Sequence, residues 1–195
     1  MHTASSTTFR PSRAAFWLLL LASGVAAPAN LDAVTLRELT ERPGLNAKKF
    51  ASYFGDFAYE FNSAIQPPDE FLSRERGDCD DYSVLADFVL KKRGLNTRLI
   101  HIRLAGRVAH AVCYVAENNA YLDYNNRKFF LTLARSGPDL REIATKVADS
   151  LSASWTTASE FTYSYETRRK VMTATIAQTG DSERTPAKPS PFHVE

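Results

Sequence analysis

The sequence predicts an α+β protein in which one helix packs on an antiparallel β-sheet. Three observations carry that prediction. Tyr82, Leu85, Ala86, Val89 and Leu90 recur at the three-and-four spacing of a helix face over residues 80–92. From Thr97 onward the period drops to two, with Ala105-Gly106-Arg107 reading as a hairpin turn between residues 97–104 and 108–115. A third short strand follows at residues 120–124, and a helix followed by an antiparallel meander is an α+β arrangement.

The chain opens on a targeting signal over residues 1–29. Arg10 and Arg13 precede the apolar run 14–22, and Ala27-Pro28-Ala29 supplies small residues for cleavage. The run is shorter than the roughly 20 residues of a membrane span, and no later stretch is apolar enough for a stable span after cleavage. The mature protein is therefore expected to be periplasmic or secreted. The signal removes two of 24 basic residues, leaving 22 against 22 acidic ones. A neutral domain without a nucleic-acid motif argues against a nucleic-acid partner. Residues 30–177 are long enough for one domain with its own core.

Within that domain, residues 31–42 read as a helix with Leu36 and Leu39 inward, ended by Pro43-Gly44. Asn46 suits the cap of a second helix over 47–61, whose Phe50, Tyr53, Phe54, Phe57 and Phe61 form an aromatic core stripe. Ile65-Gln66-Pro67-Pro68-Asp69 reads as a turn. Gly94, just past Lys91-Lys92-Arg93, stops the helix over 80–92. Residues 127–133 suggest a further strand, Pro138 opens a helix to about Leu151, and residues 161–176 are strand-rich. Residues 178–195 are rich in Thr, Ser, Pro and charge, the composition of a disordered tail.

The chemistry concentrates at Gly77-Asp78-Cys79-Asp80-Asp81-Tyr82. A thiol in the first turn of a helix meets the positive end of the dipole, while neighbouring carboxylates oppose a second negative charge. Such a thiol needs a histidine. Alternation along the second strand puts His110, Val112 and Tyr114 on one face, and Ala111, Cys113 and Val115 on the other. If paired positions sum to 233, His110 lies opposite Asp123 on the third strand. Cys79 would then be nucleophile, His110 base and Asp123 the carboxylate orienting the ring.

A Cys79–Cys113 disulfide is the competing reading for an exported chain. Cys113 faces away from His110, so strand parity makes the bond and the triad mutually exclusive and favours a free, buried Cys113. Zinc is disfavoured because the cysteines lack ligand spacing. Gln66, Asn62 and Tyr53 are weak candidates to hold an oxyanion.

These motifs resemble those of the transglutaminase-like superfamily: Gly77 to Tyr82, then Ala109-His110-Ala111-Val112, then Tyr121-Leu122-Asp123. The closest flavour is the exported bacterial transglutaminase-like cysteine proteinases, and the resemblance covers a core of residues 67–126. It implies a papain-like core with the nucleophile helix on an antiparallel sheet. It also implies a thiol acyl-transfer enzyme or cysteine peptidase acting on amide bonds of a protein or peptide substrate through Cys79, His110 and Asp123. The alternative is a non-catalytic binding domain of the same fold. No cofactor is required for such chemistry. Some members bind calcium through acids beside the cysteine, which makes Asp78 and Asp80 candidate ligands, although acids at a helix start also serve as caps.

Overall fold

The computed structural model describes residues 34–126 and 133–178. The signal expected over 1–29, most of the tail expected at 178–195 and most of the strand expected at 127–133 lie outside the described residues.

Three short helices come first: α1 (Leu36–Glu41), α2 (Ala47–Ser52) and α3 (Pro68–Arg74). Thr35 and Glu38 form a capping box for α1, and the Asn46 side chain accepts the Lys49 N–H at the start of α2. The expected helix over 47–61 is corrected. It ends at Ser52, and the chain turns through Gly55 into a two-residue strand, β1 (Ala58–Tyr59). Glycine in a helix interior is unfavourable by about 1 kcal/mol relative to alanine, and β1 gains parallel partners in β2 (Arg76–Gly77). Phe50, Phe54 and Phe57 are buried, but Phe61, expected inward, is 62% exposed. The turn expected at 65–69 instead leads into α3, with Pro68 in its first turn where its missing N–H costs nothing.

The central helix α4 (Cys79–Lys92) buries the expected face, and Gly94 past its end has φ +79, a conformation that favours glycine. The sheet strands are β3 (Thr97–Leu104), β4 (His110–Val115), β5 (Ala120–Leu122), β6 (Leu133–Arg135), β7 (Trp155–Ser164) and β8 (Arg169–Ala177), in the order β6-β5-β4-β3-β7-β8. Every neighbouring pair is antiparallel. Helix α5 (Leu140–Ser150) follows β6, with Asp139 as its cap.

The sheet separates two apolar clusters. On one face α4 packs Tyr82, Leu85, Ala86 and Val89 against Leu99, Ala111, Cys113, Val115 and Leu122. On the other, Ile143 and Val147 of α5 pack against Ile100, Ile102, Val112 and Tyr114. Gly77 sits tightly under the start of α4: a Cβ there would lie 2.5 Å from Asp81 Oδ2 and 2.7 Å from the Phe71 ring. Among the described residues, no helix is long and apolar enough to cross a membrane.

Candidate active site

The start of α4 is held by an interlocked set of carboxylates. Asp78 is the N-cap, and its Oδ1 accepts the N–H groups of Asp80 (2.9 Å) and Asp81 (3.3 Å). Asp81 Oδ2 accepts the Asp78 N–H in return at 3.0 Å, completing a capping box. The Asp81 carboxylate also receives the Gln66 N–H (2.7 Å) and the Gln66 Nε2 amide (2.8 Å). Asp78 Oδ2 takes the Asn62 N–H at 3.0 Å. Burial pushes the Asp78 carboxyl up from its ordinary pKa, the Asn62 N–H opposes that, and the neighbouring Asp81 charge adds to it. Asp80 points to Lys170 of β8, 2.9 Å away. The acids therefore cap and tether the helix, and Cys79 emerges as its first residue.

Across from Cys79 is His110, the first residue of β4. Its Nε2 lies 2.9 Å from Asp123 Oδ1, and that oxygen also accepts the Asn125 N–H at 2.8 Å. The Cys79 thiol also lies close enough to the ring to favour its charged form. Burial alone would lower the His110 pKa, but the hydrogen bonds and charges of Asp123 and Cys79 outweigh it and raise it to about 10. Exposure falls from 9% at Cys79 to 5% at His110 and 0% at Asp123, so a reactant reaches the sulfur first.

Two parts of the strand reasoning need correction. The β4–β5 ladder pairs Cys113 with Leu122 and Val115 with Ala120, so positions sum to 235 rather than 233. A shift of two preserves the face, so His110 and Asp123 meet diagonally, just beyond the end of β5. The second correction concerns Cys113. It lies on the face covered by α4, in the same cluster as Cys79, so parity does not separate the two cysteines. Their separation runs along the helix. Cys113 lies where Asp87 and Lys91 influence it, and Asp87 is eight residues, about 12 Å, along α4 from Cys79. Both cysteines are free and buried.

The oxyanion candidates are elsewhere engaged. Gln66 Nε2 donates to Asp81 and to the Arg76 carbonyl, Asn62 Nδ2 donates to the Glu60 carbonyl, and Tyr53 packs under Arg42. Sequence reasoning missed Tyr59. Tyr59 pairs with Gly77, two residues before Cys79; burial raises its pKa first, and the charges of Cys79 and Asp78 add to that. Its ring also approaches that of Tyr124, the neighbour of Asp123, with centroids 6.4 Å apart. No sequence signal pointed to it, since residue 59 fell within the helix expected over 47–61. His101, on β3, has its pKa lowered to about 4 by burial and then by Lys170.

The acids do not fit calcium. Asp78 is engaged by three backbone N–H groups and Asp80 by Lys170, and hard cations require several free oxygens. Among the described residues, no group of three or more His, Cys, Asp or Glu could hold a metal ion.

A helix-borne thiol, a strand-borne imidazole and a buried carboxylate on an antiparallel sheet define a papain-type layout. Residues 38–132 match the family model described as a transglutaminase-like domain. A solved structure, calcium-bound LapG of Legionella pneumophila, is similar at 19% identity and a TM-score of 0.43, covering 63% of this chain and 68% of that one. No curated protein matches the chain by sequence.

Proposed function

We propose that this protein is an exported cysteine peptidase or thiol acyl-transfer enzyme acting on amide bonds of proteins or peptides, with Cys79 as nucleophile, His110 as acid and base and Asp123 as the orienting carboxylate. The observation that supports the reading is the His110 ring bonded to the buried Asp123 carboxylate, with the Cys79 thiol near enough to act on the ring's charge. With Nε2 engaged by Asp123, Nδ1 is the nitrogen that faces the sulfur.

Cys79 sulfur attacks the amide carbonyl carbon, and the proton held by His110 passes to the departing amine as the C–N bond breaks. A thioester remains on Cys79. Water then gives its proton to His110 and its oxygen to the acyl carbon, and the thiol is regenerated with release of a carboxylic acid. An amine in place of water would transfer the acyl group instead. The capping bonds engage the amides of Asp80 and Asp81, and the Tyr82 N–H bonds the Asp78 carbonyl. We assign the Cys79 N–H, in the same first turn, to the developing oxyanion.

The engagement of Gln66 and Asn62 favours a second reading, a binding domain that retains the fold without efficient turnover. Iodoacetamide labelling across pH separates the two. A catalytic Cys79 labels rapidly well below pH 8, and His110→Ala abolishes that advantage. Labelling with the profile of an ordinary thiol, about pH 8.5, leaves the binding reading standing.

A further inference from the structure

Exposed apolar side chains scattered singly over a surface need no explanation. Here they are not scattered. Among the described residues the exposed large hydrophobics are Tyr59, Phe61, Val108, Val171 and Met172. Tyr59 pairs with Gly77, two residues before Cys79. Phe61 adjoins Asn62, whose N–H is bonded to the helix cap Asp78 at 3.0 Å. Val108, 68% exposed, precedes His110 by two residues, a span of at most about 7 Å. Val171 and Met172 follow Lys170, whose ammonium is 2.9 Å from Asp80, the neighbour of Cys79. Three chain segments, far apart in sequence, thus bring apolar groups toward the start of α4, where Cys79 keeps 9% exposure.

β8 adds a second feature. It is an edge of the six-stranded sheet, nine residues long and largely exposed. Such an edge presents a row of main-chain donors and acceptors that an extended chain can pair with. The end of β8 that carries Met172 is the end tied by Lys170 to the start of α4.

We propose that Tyr59, Phe61, Val108 and Met172 form the rim of a substrate cleft. The cleft takes an extended polypeptide segment with large apolar side chains within two or three residues of the scissile amide. The inference rests on the thiol acyl-transfer reading of the same site and names its substrate class. Apolar rim contacts supply affinity close to the sulfur, and main-chain pairing selects a peptide over a lipid or a small apolar molecule. Bulky charged side chains at those positions are disfavoured, because the rim offers them desolvation without a partner.

The test uses the full chain and bromoacetyl-capped dipeptide amides, one carrying Phe-Leu and one Ser-Asp, with bromoacetamide as reference. Peptide mapping of the labelled protein assigns the modification to Cys79. The Phe-Leu reagent should label Cys79 roughly tenfold faster than the Ser-Asp reagent. Phe61→Ser and Val108→Ser together should remove most of that preference while leaving the bromoacetamide rate within about twofold. Equal labelling by the two peptides, or a preference unchanged in the variants, overturns the proposal. So does a dimer in sedimentation that Phe61→Ser dissociates, which would assign the rim to a second copy. Cleavage-site profiling on a peptide library then separates the two ideas. Apolar-selective labelling without any cleavage keeps the rim and sinks the catalytic reading, whereas cleavage without apolar bias does the reverse.

Discussion

Asp123→Asn isolates the electrostatic part of the site. Asp123 is fully buried, one oxygen bonds His110 and the Asn125 N–H, and Oδ2 has no hydrogen-bond partner. Its charge therefore falls chiefly on the imidazole. Asparagine keeps the shape and an oxygen acceptor but loses the charge. A hydrogen bond to a charged group contributes about 1.5–3 kcal/mol, against about 1 kcal/mol for a neutral one. At about 1.4 kcal/mol per unit, the difference of about 0.5–2 kcal/mol lowers the His110 pKa by roughly 0.4 to 1.4 units from its value near 10. The same energy, lost from the imidazolium that forms opposite the thiolate, slows Cys79 labelling and turnover about 2- to 30-fold, and further if the amide selects the wrong tautomer. Stability should barely move, within about 1 kcal/mol, because a buried and half-satisfied charge is itself unfavourable. The assay pairs iodoacetamide rates from pH 5 to 9 with a urea melt. A variant that keeps the wild-type labelling profile within about twofold refutes the role given to Asp123. A variant that unfolds instead shows the carboxylate to be mainly structural.

Asp81→Asn should behave in the opposite way, costing about 2–4 kcal/mol in urea unfolding, because the Asp78 N–H and both Gln66 donors lose a charged acceptor. Stability should also show a maximum in pH. His110, raised to about 10, contributes stability that is full below its unfolded value near 6.5 and is lost as pH climbs toward 10. His101, lowered to about 4, contributes stability that is present above 6.5 and lost as pH falls toward 4. Urea midpoints across pH should therefore fall on both sides, with His101→Gln flattening the acid limb and His110→Gln the alkaline one. Calcium at millimolar concentration, or excess chelator, should leave the melting temperature unchanged to about 1 °C, since a site filled to 100 times its Kd would add about 2.7 kcal/mol. A calcium-dependent rise of several degrees would mean that the cation displaces Lys170 from Asp80.

The parts of this fold legible in the sequence are those with a clean local period. Residues 97–104 alternate except at the Leu99-Ile100 pair and form β3 over that span. The face Tyr82, Leu85, Ala86, Val89 and Leu90 is buried on α4 as its spacing requires. What local pattern concealed was decided by distant partners. The aromatic stripe continued past Ser52 at helical spacing, yet the chain there pairs with β2, and the stripe's last member, Phe61, ends exposed. The β4–β5 register depended on the four-residue connection Ala116-Glu117-Asn118-Asn119, which closes with Asn119 in a left-handed conformation, and nothing local distinguished it from the two-residue alternative. Cys113 is free and buried as expected, but the parity argument failed because alternation ranks side chains within a strand and does not say which face the helix covers. His110 escapes that constraint, since it is the last rung of the β3–β4 ladder and reaches Cys79 at a helix terminus rather than across the sheet.

The crowd of acids around Cys79 made sense only with these long-range contacts. In sequence, Asp78, Asp80 and Asp81 are three charges that should discourage a thiolate between them. In the fold each has a different partner: backbone amides for Asp78, two Gln66 donors and the capping amide for Asp81, and Lys170 for Asp80. Two of these engagements fix the helix start, and with it the position of the sulfur relative to the His110 ring. The third reaches across to β8 and ties the exposed edge strand to the same turn. One short acidic stretch thus both orients the thiol and anchors the surface along which a substrate would lie. Weakening Asp81 should therefore misalign chemistry and fold together, whereas neutralising Asp123 should damage the chemistry alone.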